Sequence, residues 1–158
     1  MVLRAPWFHA ALGLDEGGVA MIARSWHTGG PFAYGSYFLD RPPLLVGLYA
    51  IFGSVGPGGI RVLGALAAAS LVTLTTLLAV RLGGRAAAPW AAGIAAVMAS
   101  SSELTSVFTP AELLAAVPSC ASILLLVIAL ERDRRRLWLL AGAGLLAASA
   151  LLVKQSFG

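Results

Sequence analysis

Four apolar stretches, each bounded by charged residues, constrain this chain more than any other feature. No charge falls in residues 62–80, between Arg61 and Arg81, or in residues 86–102, between Arg85 and Glu103. The same holds for residues 113–130, between Glu112 and Glu131, and for residues 137–153, between Arg136 and Lys154. At about 1.5 Å rise per residue, each is ~26–29 Å long as a helix, close to the ~30 Å hydrocarbon core of a bilayer. Backbone groups in lipid must bond internally, so these runs are helices. Composition agrees: 11% of residues are charged, where a soluble domain has about 25%, and mean hydropathy is +0.87. The expected fold is all-α, a polytopic transmembrane helical bundle with about four spans, near 61–80, 86–103, 110–130 and 137–157.

The first 60 residues differ in kind. Residues 42–60 are also uncharged, but Pro42, Pro43 and Pro57 with five glycines leave only residues 44–52 as helix. That helix is too short to cross and is expected to lie half-inserted or on the surface, with "SVGPGG" turning into the first span. Upstream, Val19, Ile22, Ala23 and Trp26 recur at helical spacing while Arg24 and His27 fall off that stripe. This predicts an amphipathic juxtamembrane helix over residues 19–27, anchored by an aromatic ring. Residues 1–60 thus form an outer arm, and residues 61–158 hold the spans.

Orientation follows from the short loops. "RLGGR" and "ERDRRR" carry two and four arginines and are separated by two spans, so they share a side. The positive-inside rule makes that side cytoplasmic. The intervening "SSELTSVFTP" has no Lys or Arg, as an outer loop should. The arm, the region 103–112 and the chain beyond Lys154 then face outward. An exported arm with no apolar span before it, and an end at "LLVKQSFG", lead to the expectation of a longer polytopic protein truncated at both ends. The net charge of +4 comes from short basic clusters between apolar runs. They read as topology signals rather than a phosphate-binding face, so no nucleic-acid partner is expected. Cys120 is a lone small core residue, and His9 and His27 have no partner at metal-ligand spacing.

This topology gathers Asp15, Glu16, Asp40, Arg41, Arg61, Glu103, Glu112 and Lys154 at one membrane face. A carboxylate there can take a proton from an acceptor hydroxyl, while Arg and Lys can hold a departing phosphate. Each residue also has a plainer use. Asp15 suits a helix N-cap, and Glu16 a helix first turn. Asp40 and Arg41 could form an exposed pair ahead of the stiff Pro42-Pro43. Arg61 and Lys154 could snorkel to headgroups, and Glu112 follows Pro110 at a helix start. The ring cluster of Phe32, Tyr34, Tyr37 and Phe38 could stack on sugar, though interface anchoring is the simpler use.

The stretch "DEGGVAMIARSWHTGG…YGSYFLDRPPLLVGLYAIFG" resembles the first outer loop of C-type-fold membrane glycosyltransferases. These include protein O-mannosyltransferases and aminoarabinose transferases. The shared order is an acidic pair (Asp15-Glu16), a surface helix, and an acidic-basic-Pro-Pro run (Asp40-Arg41-Pro42-Pro43). "GGIRVLGAL", "TPAELLAAVP" and "LLVKQSF" resemble the family's later Arg, acidic and Lys positions, so the likeness runs over roughly residues 12–158. The resemblance implies sugar transfer from a polyprenyl-phosphate donor to an unidentified extracytoplasmic acceptor, with inversion, by a multi-pass plasma-membrane protein. It implies Asp15 as catalytic base and Glu16, Asp40, Arg41, Arg61, Glu112 and Lys154 as substrate-binding residues. It names no certain cofactor and leaves a divalent metal ion open. The 158 residues in isolation are expected to be inactive. The rival expectation is a non-enzymatic membrane protein or transporter fragment. Transporters place ionisable groups mid-span, and the four runs carry none.

Overall fold

The computed structural model describes residues 11–27, 29–101, 108–131 and 136–155. The expectations placed on Arg4, His9, Glu103, Arg132, Asp133, Arg134 and Arg135 lie outside them. Among the described residues the chain is a helical membrane bundle. Its helices are α1 (Leu14–Arg24), α2 (Pro43–Gly53), α3 (Pro57–Gly83), α4 (Ala88–Met98, entered through a 3-10 turn at Arg85–Ala87), α5 (Ala111–Leu130) and α6 (Arg136–Val153). Proline starts α2 and α3, because its fixed φ suits the first turn and that turn needs no N–H. Gly84, at φ 77°, ends α3 in the left-handed conformation that glycine adopts without penalty.

Three long-range contacts establish the topology. Thr109 Oγ1 donates to Ile60 O at 2.9 Å, which sets the start of α5 beside the start of α3. Arg81 pairs with Glu131, joining the far ends of those helices. Lys154 pairs with Glu112, returning the end of α6 to the start of α5. The chain therefore passes four times between two ends of the bundle. Three passes are helices long and apolar enough to cross a membrane: α3, α5 and α6. The second pass is shorter than the uncharged run 86–102 led one to expect. Its helix α4 has 11 residues, about 16 Å at helical rise. Beyond it, Ser100 and Ser101 tighten into i→i+3 bonds to Val97 O and Met98 O.

Polar groups inside the long helices find partners within the bundle, as an apolar setting demands. In α3, Thr73 and Thr76 donate to the carbonyls of Ala69 and Val72, at 2.9 and 2.6 Å. In α5, Ser122 reaches across to Ala143 O of α6 at 2.7 Å. Leu77, Ile94, Val97, Ile123 and Leu145 point outward and are exposed, a surface suited to lipid rather than water.

Among the described residues the main hydrophobic cluster lies at one end, while Leu124, Ala129 and Ala143 are buried further along α5 and α6. All the buried residues of α3 fall between Gly59 and Ala68. There they pack with Val19 and Ile22 of α1, Leu45 and Val46 of α2, Leu113 and Leu114 of α5, and Val153 of α6. The arm thus caps the bundle. Gly59 permits the closest approach: a Cβ there would stand 1.9 Å from Phe52 O and 2.6 Å from Val55 Cγ2. Only glycine lets α3 start so close beneath the end of α2.

Helix α1 keeps the expected apolar stripe, with Val19, Ala20, Ile22 and Ala23 buried. Its bounds differ from residues 19–27, because the Glu16 carboxylate reaches back to Gly13 N at 2.9 Å and starts the helix there. The other end stops at Ser25, whose N–H and Oγ both donate to Met21 O at 3.1 Å. Trp26 falls past the helix and meets Tyr34 edge-on at 5.4 Å.

Candidate active site

The arm end of the bundle holds a cavity of about 440 Å³, bordered by α1, α2, the start of α5 and the end of α6. Its polar wall consists of Asp15, Glu16, Arg41, Tyr49, Glu112 and Lys154. Leu14, Val19, Leu45, Phe108 and Pro110 supply much of its apolar wall. Five of the seven residues singled out in the sequence therefore meet in one place. Arg61 sits directly behind Glu16, and Asp40 is exposed and outside the lining.

Asp15 is at the second position of α1 and is exposed at the cavity. It is not the N-cap: Gly13 holds that position, and the capping bond falls to Glu16. Among the described residues the Asp15 carboxylate forms no ion pair, so it remains available to a ligand.

Glu16 is 4% exposed and Arg61 3%. Arg61 Nη1 donates to Glu16 Oε1 at 2.9 Å, and Arg61 Nη2 donates to Ala11 O at 2.7 Å. The Thr109 backbone N–H also donates to Glu16 Oε1. The guanidinium carbon lies 5.0 Å from the centroid of the Phe108 ring, a cation–π distance. Tyr49 OH donates to Thr109 O at 2.6 Å. Burial, reinforced by the nearby Glu16 carboxylate, pushes that hydroxyl well above the usual tyrosine range, so it stays protonated as a donor. One buried network thus joins the arm, α2, α3 and the lead-in to α5. Arg61 neither snorkels nor borders the cavity.

Arg41 precedes the Pro42-Pro43 entry to α2 and is exposed. Tyr34 OH donates to Arg41 O at 2.5 Å and fixes its backbone. The guanidinium touches Asp40 only through the backbone carbonyl, at 3.3 Å. The simple Asp40–Arg41 side-chain pair is therefore not formed, and the Arg41 charge faces the cavity without a carboxylate partner among the described residues. Lys154 follows the last residue of α6 and pairs with Glu112 in the first turn of α5. Both are partly exposed, so an anion in the cavity can compete for the ammonium.

The aromatic loop does not reach this site. Phe32 and Phe38 pack on each other at 5.8 Å, Tyr34 is buried, and Tyr37 is exposed. No group of three or more His, Cys, Asp or Glu gathers to hold a metal ion among the described residues.

Sequence reasoning missed Tyr49, Phe108 and Thr109. A signal existed for Tyr49, the lone side-chain hydroxyl in "PLLVGLYAIFG", since a buried tyrosine seeks a partner for its hydroxyl. Thr109 and Phe108 gave no comparable signal, because their roles depend on a backbone N–H and a ring position that only the fold creates.

Comparison with known proteins adds one match. A family model described as dolichyl-phosphate-mannose-protein mannosyltransferase matches residues 40–158. The matched range takes in Asp40, Arg41, Arg61, Glu112 and Lys154, and begins after α1. No curated protein and no solved structure matches the chain.

Proposed function

We propose a specific reaction from one premise: the chain belongs to the dolichyl-phosphate-mannose-protein mannosyltransferase family, a family of membrane glycosyltransferases. The reaction is transfer of a sugar from a polyprenyl-phosphate donor to an acceptor hydroxyl at the arm end of the bundle, on the extracytoplasmic side of the plasma membrane. The observation that carries this reading is the cavity itself, lined together by Arg41, Lys154 and the Asp15 carboxylate, which forms no ion pair among the described residues.

In this reaction Asp15 accepts the proton of the acceptor hydroxyl. The acceptor oxygen forms its bond to the anomeric carbon as the bond from that carbon to the phosphate oxygen breaks. The electron pair leaves with the polyprenyl phosphate, whose growing charge Arg41 and Lys154 offset. Attack opposite the leaving group inverts the anomeric centre. Glu112 holds Lys154 at the cavity until phosphate takes its place. Leu14, 98% exposed at the rim, offers apolar surface to the donor.

Charge-assisted hydrogen bonds are worth about 1.5–3 kcal/mol each. Arg41→Met and Lys154→Met should therefore each lower kcat/KM for the polyprenyl-phosphate donor by about 10- to 100-fold. Steady-state transfer by the full-length protein at varied donor concentration measures this. Wild-type kcat/KM in both variants would remove the phosphate role.

Sidedness has its own check. With Cys120 replaced by alanine, Ser25→Cys should react with an impermeant thiol reagent in whole cells. Gly83→Cys, at the other end of α3, should react only after the membrane is opened. The opposite pattern excludes extracytoplasmic transfer.

A further inference from the structure

We propose that the buried Glu16–Arg61 pair positions Asp15, acting as a brace that holds the catalytic base through the backbone on either side of it. The inference rests on the role assigned to Asp15 above. Asp15 is exposed, and among the described residues its carboxylate forms no ion pair that would fix its location. Its backbone is held by its neighbours instead. Glu16 Oε2 takes the N–H of Gly13 at 2.9 Å, and Arg61 Nη2 donates to Ala11 O at 2.7 Å. One ion pair thereby grips the chain at residues 11, 13 and 16, on both sides of residue 15.

The same pair ties that grip to the rest of the cavity. Arg61 belongs to the first turns of α3. Glu16 Oε1 also takes the N–H of Thr109, two residues before α5. Phe108, whose ring lies over Arg61, lines the cavity. The α5 start carries Glu112, and Glu112 holds Lys154. The distance between the base and the phosphate-binding cation is thus set through Glu16 and Arg61. Both are almost fully buried; Glu16 reaches the cavity wall, and Arg61 stands behind it, outside the lining. A guanidinium suits this post because its planar fork donates to two acceptors in fixed directions.

Arg61→Lys is the informative variant, since it keeps the buried positive charge beside Glu16 and removes the second directed donor. A misplacement of about 1 Å costs on the order of 100-fold in rate. Partial loosening should lower single-turnover transfer by about tenfold, with KM for the polyprenyl-phosphate donor within about twofold of wild type. The decisive arm repeats Arg61→Lys in an Asp15→Asn background, where a residue acting only through Asp15 has nothing further to lose. The brace is overturned if Arg61→Lys transfers at the wild-type rate, if only the donor KM rises, or if the same tenfold loss recurs in the Asp15→Asn background. Undiminished transfer by Asp15→Asn alone would instead sink the base assignment, a failure visible without the Arg61 variants.

Discussion

Asp15→Asn should lower the rate of sugar transfer by about 10²- to 10⁴-fold, the usual contribution of a positioned general base. The amide has nearly the carboxylate's shape but cannot accept the acceptor's proton at neutral pH. The fold should be untouched, because Asp15 is exposed and the capping bond of α1 belongs to Glu16. Donor KM should stay close to wild type, since Asp15 meets the acceptor rather than the phosphate. The check is single-turnover transfer with the full-length protein in membranes, beside a measurement of donor binding. Loss of donor binding with an unchanged chemical rate would place Asp15 on the donor and leave the base unassigned.

The second large effect is on stability. Glu16→Ala and Arg61→Met each leave one buried charge without its partner, and breaking such a pair from one side costs about 3–5 kcal/mol. The loss should be visible as lower resistance to denaturant in mild detergent, with yield falling in parallel. The double variant Glu16→Leu/Arg61→Met should recover part of the loss, because no lone charge then remains. Recovery stays incomplete, since the buried Thr109 N–H would lose its partner and an unsatisfied buried group costs about 1–3 kcal/mol. Single variants as stable as wild type would show that the pair is not buried. This stability cost is separate from the positioning role, which is why the kinetic test uses lysine at position 61.

Several candidate residues were legible before the fold was known, for a simple reason. In a chain with 11% charged residues, each ionisable group near an apolar run stands out and needs an interface, a partner or a function. That logic found Asp15, Arg41, Glu112 and Lys154, which the cavity brings together. It could not separate residues that face the cavity from residues that stand behind it. Arg61 and Lys154 look alike in sequence, each a cation at the end of an apolar run. In the fold one is sealed against Glu16 and the other is partly open beside Glu112. Asp40 drew the same expectation as Arg41, yet it stands outside the lining.

Helical character and the approximate ends of α3, α5 and α6 came from the sequence alone. Backbone groups in lipid have no partner outside their own helix, so length and absence of charge suffice. Where the second pass stops being helix, and where α1 begins, were decided by local competition: the serine backbone after Met98 and the reach of the Glu16 side chain to Gly13. The meeting of Glu16 with Arg61, 45 positions later, and with the backbone of Thr109, 93 later, required the tertiary structure. No local pattern encodes which buried cation will neutralise which carboxylate. That choice follows from how the arm, α3 and α5 pack, because a buried charge is tolerated only where the fold brings its partner to it.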